Sequence, residues 1–232
     1  MPLRPCGERA GDPPLRDGRD GARPGLPERA VLRRLLLVRH GHARSNLGDH
    51  VSSVPPGEGL SGQGAREALA LRAALASEAV DLGVATPLLR TQETLELALG
   101  NRAVERLVLP TLGEIRFGAF EGGPLADYRA WAWSHAPDAE CPGGGESRVE
   151  AAVRIAEALD TLLGRPEHVV LAVSHALPIR YVVDASDGTF PTARITPVPH
   201  AEPFSLDADA ARLATETLRA WAREPSFVDL PG

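Results

Sequence analysis

The 232-residue chain contains no lysine; all 25 of its basic residues are arginine. That excludes a P-loop ATPase, whose lysine is part of the phosphate cradle, and any enzyme working through a lysine Schiff base. Cysteine is almost as scarce. Cys6 and Cys141 stand far apart in Pro/Gly-rich surroundings, which fits neither a disulfide framework nor a zinc site and predicts a reducing compartment. Long apolar runs are missing too, and no stretch is long or apolar enough to span a bilayer. Arg33-Arg34 before Leu35-Leu36-Leu37-Val38 superficially matches a twin-arginine signal. The apolar run stops after four residues at Arg39, too short for a signal core, so a cytoplasmic protein is expected. Positive charge is in deficit as well. The 31 acidic residues leave a formal charge of −6, which argues against a general nucleic-acid or anionic-membrane binder.

What is present suffices for a packed core, since 43% of residues are apolar. The length allows one domain plus a tail. Residues 1–30 hold six Pro, five Gly, six Arg and five acidic residues. Such a segment buries too little apolar surface to offset the entropy of ordering, so a disordered tail is expected, followed by one domain over 31–232.

Within that domain, Leu35-Leu36-Leu37-Val38 reads as a strand buried on both faces. Ser61 opens a helix through Ala65, Leu69, Leu71, Leu75 and Ala79. Leu82-Gly83-Val84-Ala85 reads as a second strand. Thr86-Pro87 reads as an N-cap with proline at the first helical position, starting a helix to about Leu99. Leu107-Val108-Leu109 reads as a third strand, and Pro124 to His135 as a helix whose Trp131 and Trp133 serve packing. Ser147 and Glu150 form a capping box. Behind it Val149, Ala152, Val153, Ala156, Leu159 and Leu163 make an apolar stripe. Val169-Val170-Leu171-Ala172-Val173 is the clearest buried strand. A helix from about Leu177, a proline-broken stretch over 191–206 and a closing helix from Asp207 to Trp221 complete the reading. Alternating strands and helices predict an α/β fold, a mostly parallel doubly wound sheet with helices on both faces. Ligands in such folds sit beyond the carboxyl ends of the strands.

Three such ends carry reactive side chains. Arg39-His40-Gly41-His42-Ala43-Arg44-Ser45-Asn46 follows the first strand, Thr86-Pro87-Leu88-Leu89-Arg90 the second, and Ser174-His175-Ala176 the last. These segments resemble the histidine phosphatase superfamily, the phosphoglycerate-mutase-like fold. That family has Arg-His-Gly at the end of its first strand with Asn six residues after the His, then a Ser/Thr-Pro-Leu-x-Arg element and a late Ser-His. Leu112-Gly113-Glu114-Ile115-Arg116-Phe117-Gly118-Ala119-Phe120-Glu121-Gly122 is similar to its acid-bearing segment, and Gly144-Gly145-Glu146-Ser147 to another recurrent element. The likeness covers about residues 33–223.

The residue chemistry agrees. A phosphomonoester is a dianion, and Arg39 and Arg90 offer planar forks that match its oxygens. The helix N-terminus at Arg90 adds partial positive charge. His40 attacks only when neutral, and two guanidiniums beside it lower its pKa below the ~6.5 reference. Glu114 is expected to protonate the leaving alkoxide and then activate water, so its pKa must be raised. Glu121 is the second candidate for that role. The resemblance implies that His175, Arg39, Arg90 and Asn46 hold the phosphoryl oxygens, with the Ala176 backbone N–H beside them. No cofactor or metal is implied, because the arginines supply the positive charge. The chain departs from the family in having His42 where many members have Glu, and Ala176 where Gly is common.

Two other activities share some of these residues. His40-x-His42 with Asp49-His50 resembles an HxHxDH zinc site, but Asp49 lies seven positions after His42 and both arginines would stay idle. A phosphoglycerate mutase would share the phosphohistidine, yet the chain is compact where family mutases carry insertions. A non-catalytic phospho-ligand module is the remaining alternative. The expectation is a metal-independent phosphomonoesterase acting on a small phosphorylated metabolite, with no nucleic-acid or membrane partner and the oligomeric state open.

Overall fold

A computed structural model describes Met1 and residues 32–227; the expected tail, residues 1–30, lies almost wholly outside the described residues. Five strands form one sheet in the order β3-β2-β4-β1-β5, where β1 is Arg34–Arg39, β2 Leu82–Ala85, β3 Glu105–Val108, β4 Val169–Ser174 and β5 Pro203–Leu206. The first four run parallel, and β5 pairs antiparallel with β1. The helices are α1 (Arg44–Leu47), α2 (Gly62–Ala74), α3 (Leu89–Leu99), α4 (Leu125–Ala132), α5 (Arg148–Leu163), α6 (Ala176–Ala185) and α7 (Ala208–Arg223).

The continuous apolar strands are buried on both faces, as their sequence requires. Leu36, Val38, Leu171 and Val173 pack with Leu71 of α2, Leu75 just after it, and Leu95 and Leu99 of α3. Leu35, Leu37, Val170 and Ala172 face the opposite layer, with Ile155 and Leu159 of α5, Val182 of α6 and Leu218 and Trp221 of α7. β3 is one edge; Glu105 and Arg106 keep it polar, and Val108 is exposed.

The expected helices and strands are found, with five local differences. The helix after β2 is capped at Leu88, not Thr86, because the Thr86 hydroxyl is committed to a buried network described below. The helix opened by Ser61 stops at Ala74, short of Ala79. Arg102 donates to the Leu75 carbonyl at 2.6 Å and the Glu78 carbonyl at 3.1 Å, satisfying the chain end where it drops into β2. The third strand is centred earlier, on Glu105–Val108. The buried stripe of α5 includes Ala151, Ile155, Ala158 and Leu162, while Val153 is exposed; small residues let α5 approach the sheet on a face shifted from the one expected. The proline-broken stretch hides β5, whose first residue is Pro203. Proline is tolerated there because it opens an edge strand.

Candidate active site

Strand register brings the first and last motifs together. Arg39 is the β1 partner of Ser174, and the His40 N–H donates to the Ser174 carbonyl at 3.0 Å. His40 and His175 therefore leave the sheet side by side, with ring centroids 5.2 Å apart. β2 flanks β4 on its other side and delivers Thr86, and the first turn of α3 carries Arg90. Gly41 is required by close approach: a β-carbon there would stand 2.6 Å from the Gly64 carbonyl oxygen of α2.

Arg90 ties the two histidines. Its Nε donates to His40 Nε2 at 3.1 Å. Its Nη2 donates to the Ser52 carbonyl at 2.8 Å and lies 3.3 Å from His175 Nδ1. Arginine has no acceptor, so both ring nitrogens accept. The His40 proton then sits on Nδ1 and is donated to the Gly41 carbonyl at 2.8 Å, leaving the Nε2 lone pair at the cavity. The His175 proton sits on Nε2 and is donated to Thr86 Oγ1 at 3.1 Å.

The threonines complete this arrangement without a spare group. Thr86 Oγ1 also accepts from the Leu88 N–H at 3.3 Å and donates to Thr91 Oγ1 at 2.9 Å. Thr91 Oγ1 accepts from the Thr86 N–H at 3.1 Å and donates to the Leu88 carbonyl at 2.7 Å. Both threonines are fully buried, where an unmade hydrogen bond is costly. The network thus holds one tautomer of His175.

Electrostatics follow from burial. Desolvation, then the Arg90 charge, pushes both His40 and His175 well below the ordinary histidine range. Burial outweighs the guanidiniums, which alone motivated that expectation. Burial also raises the Glu114 carboxyl, against the opposing pull of Arg90 and Arg39. Glu114 Oε2 lies 3.9 Å from His175 Nδ1, which accepts from Arg90, so the two are neighbours without forming an ion pair.

His40, Arg90 and Glu114 line one cavity of about 390 Å³, together with Asn46, Ala176 and Arg39; His175 is fully buried behind that wall, against Arg90. Arg39 donates through Nη1 to the Val198 carbonyl at 2.8 Å. Arg39 Nε and Arg90 Nη1 are buried donors with no hydrogen-bond partner among the described residues. Asn46 Oδ1 accepts from the Ala43 N–H at 2.8 Å, so the residue caps its turn while facing the cavity. Ala176 opens α6 and has no positive φ, so its methyl is accommodated without strain. Glu121 is elsewhere: it accepts from the Ser53 N–H at 2.8 Å and the Ser53 hydroxyl at 2.6 Å and is not part of the cavity wall.

The zinc-like grouping is dispersed. His42 Nδ1 pairs with Ser61 Oγ at 3.0 Å, outside the cavity wall, and His50 lies 3.6 Å from Glu58. Among the described residues no group of three or more His, Cys, Asp or Glu is placed to hold a metal ion. Trp131 packs against Phe120 and Tyr128, whereas Trp133 does line the cavity.

Three contributors escaped the sequence reading. Thr86 read as a helix cap. His200, which donates through Nδ1 to the His40 carbonyl at 2.7 Å, comes from the proline-broken stretch. Arg148 lines the cavity from the start of α5, where it read as an ordinary helical position. Only Thr86 carried a usable signal, its place directly after a buried strand.

A cationic cavity at parallel strand ends has one histidine of depressed pKa in its wall, a second behind it and a raised carboxyl, an arrangement suited to a phosphate anion. The family model described as histidine phosphatase superfamily (branch 1) matches residues 35–218, and the chain belongs to that family. It is a phosphatase of the kind that acts on small phosphate esters. Adenosylcobalamin/alpha-ribazole phosphatase of Escherichia coli strain K12 is 30% identical over 154 residues, 61% of this chain and 73% of that protein. The crystal structure of a putative alpha-ribazole-5'-P phosphatase from Escherichia coli K-12 matches with a TM-score of 0.66 at 26% identity, over 76% of this chain and 90% of that one. The mycobacterial glucosyl-3-phosphoglycerate phosphatase Rv2419c, in its complex with VO3, matches with a TM-score of 0.63 at 25% identity, over 75% of this chain and 91% of that one.

Proposed function

We propose that the chain hydrolyses its phosphomonoester in two steps through His40. Nε2 forms a bond to phosphorus in line with the leaving oxygen. The P–O bond to that oxygen breaks, and the Glu114 carboxyl gives it a proton. Water then attacks the phosphohistidine and gives a proton back to Glu114. The N–P bond breaks, inorganic phosphate leaves, and His40 is neutral again. Arg39, Arg90, His175, Asn46 and the Ala176 N–H hold the phosphoryl oxygens, and the two arginines balance the dianion. The observation that carries this reading is the Arg90 bridge between His40 Nε2 and His175 Nδ1. It keeps the nucleophilic lone pair on the cavity side, next to an Arg90 N–H from which an incoming phosphate oxygen can accept in place of His40 Nε2.

The raised Glu114 carboxyl supports its role as the acid, and Glu121, bonded to Ser53, is the weaker candidate. A buried free Cys141 thiol supports a reducing, cytoplasmic setting. The test is a rapid quench with labelled substrate. It should trap an acid-labile, base-stable phosphoenzyme, absent from His40→Ala. Wild-type turnover in His40→Ala would remove His40 from the nucleophile's role.

A further inference from the structure

The far wall of the cavity holds positive charge that phosphoryl transfer leaves idle. Arg148 is only 7% exposed. Its Nη1 donates to the Tyr181 hydroxyl at 3.3 Å, and its guanidinium carbon lies 5.7 Å from the Tyr128 ring centre. Its Nε is buried with no hydrogen-bond partner among the described residues. Burial works against its charge, but Tyr181 and Tyr128 more than offset that, and no carboxylate among the described residues pairs with it. The guanidinium is thus kept charged in the cavity wall without a carboxylate counter-ion.

Arg129 adds a second cation. It lines the cavity from an exposed position on α4, close enough to Arg39 to lower that residue's basicity. The cavity wall therefore carries four arginines, Arg39, Arg90, Arg129 and Arg148, against one carboxylate, Glu114. A bound phosphate dianion leaves this imbalance only partly met, in a chain whose overall charge is −6. Between the two ends the wall is apolar and aromatic, with Phe117, Leu125, Trp133, Ile195 and Val198.

We propose that Arg148, with Arg129 at the mouth, is a second anion subsite, and that the substrate is a phosphomonoester whose apolar body ends in a carboxylate. This rests on the phosphatase reading above. A carboxylate suits the subsite better than a second phosphate. It is a planar monoanion that matches an arginine edge, and it loses less hydration on entering a buried apolar pocket than a dianion does.

The experiment pairs ω-carboxyalkyl and carboxyaryl phosphates of graded length with their neutral carboxamide twins. Each pair is measured by kcat/KM, and their non-hydrolysable phosphonates by calorimetric binding. At the best spacing the wild-type protein should prefer the carboxylate by about 10- to 100-fold, the range expected for a hydrogen bond to a charged group. In Arg148→Met that ratio should fall to near one, and Arg148→Lys should restore part of it. Because each ratio is taken within one folded protein, it does not depend on the variant's total activity, and a thermal melt checks that Arg148→Met folds. No carboxylate preference at any spacing, or a preference that survives Arg148→Met, overturns the proposal. So does a stronger preference for bisphosphates. Preferential binding of carboxylate phosphonates without hydrolysis of any ester would uphold the subsite and overturn the phosphatase reading instead.

Discussion

The two ends of the cavity are built differently. The phosphate end is assembled from strand termini: β1 supplies Arg39 and leads into His40, β4 leads into His175, and β2 leads into Thr86 and Arg90. The other end is assembled from α4 and α5, through Arg129 and Arg148, with Trp133, Ile195 and Val198 on the wall between. At the first end the ring nitrogens of His40 and His175 are all hydrogen-bonded, and the donors left over are Arg39 Nε and Arg90 Nη1. At the second, Arg148 keeps a buried Nε unpaired, with no histidine network beside it. The contrast is between histidines fixed by the fold and guanidiniums, at both ends, that keep spare donors for a ligand. Groups that must stay put are hydrogen-bonded into the sheet, and groups that select a ligand face it from helices.

The contrast breaks most sharply if damage confined to the phosphate end fails to separate leaving groups. General acid catalysis is typically worth about 10²–10⁴ in rate, and mainly for a strongly basic leaving oxygen. Glu114→Gln should lose a factor in that range in single-turnover phosphorylation by alkyl phosphates, and far less with nitrophenyl phosphate. Arg90→Ala should weaken both alike, because it acts on the phosphoryl group they share. Equal losses in Glu114→Gln would remove Glu114 from the acid role.

A smaller effect concerns the buried network. Thr86→Val keeps the shape but leaves the His175 Nε2–H without an acceptor, which should cost about 1–3 kcal/mol of stability. It should also shift the pH profile of phosphorylation, because the His175 tautomer is no longer held. Thr86→Ser should rescue both. An unchanged pH profile would reduce Thr86 to a packing residue.

The pH dependence of stability sharpens the comparison further. His40, His175 and His200 are all held below their usual value of 6.5 in the folded state. Below that pH the unfolded chain takes up protons that the folded one refuses, so stability falls as pH drops. Glu114, raised above 4.5, opposes them: its folded state keeps a proton the unfolded chain loses as pH rises. Three depressed histidines outnumber one raised carboxyl, so melts should show a net loss on acidification below pH 6.5. His40→Asn should flatten that slope, whereas Arg148→Met should leave it in place.

The smallest expected effect is at the N-terminus. The composition of residues 1–30 leads us to propose that deleting them leaves kcat/KM nearly unchanged. A loss of more than a few-fold would give the segment a part in the site.

The legibility of these features divides along the same line. Arg39, His40, Arg90, Asn46 and His175 stood out because each lies just after an apolar run or in the first turn beyond it, where parallel sheets present their ligands. The family resemblance ranks Glu114 above Glu121 without a physical reason in the residues themselves. They lie in one segment, and only the fold turns Glu114 into the cavity and Glu121 toward Ser53. Thr86 misled because a threonine before Pro87 has the signature of a helix cap, and a buried acceptor for His175 has none of its own. β5 was hidden because an edge strand needs only four residues and tolerates a leading proline.

By itself the sequence determined β1, β2 and β4, their buried character, the helices α3 and α6 after β2 and β4, and the cluster of phosphate-seeking side chains at those strand ends. These depend on period, composition and neighbours within a few positions. The tertiary structure alone decided which carboxylate faces the histidines, which tautomer each histidine carries, and that Arg148 reaches the same cavity as His40. Those outcomes depend on distance in space and on desolvation, and both arise only when segments far apart in the chain are packed together and water is excluded from between them.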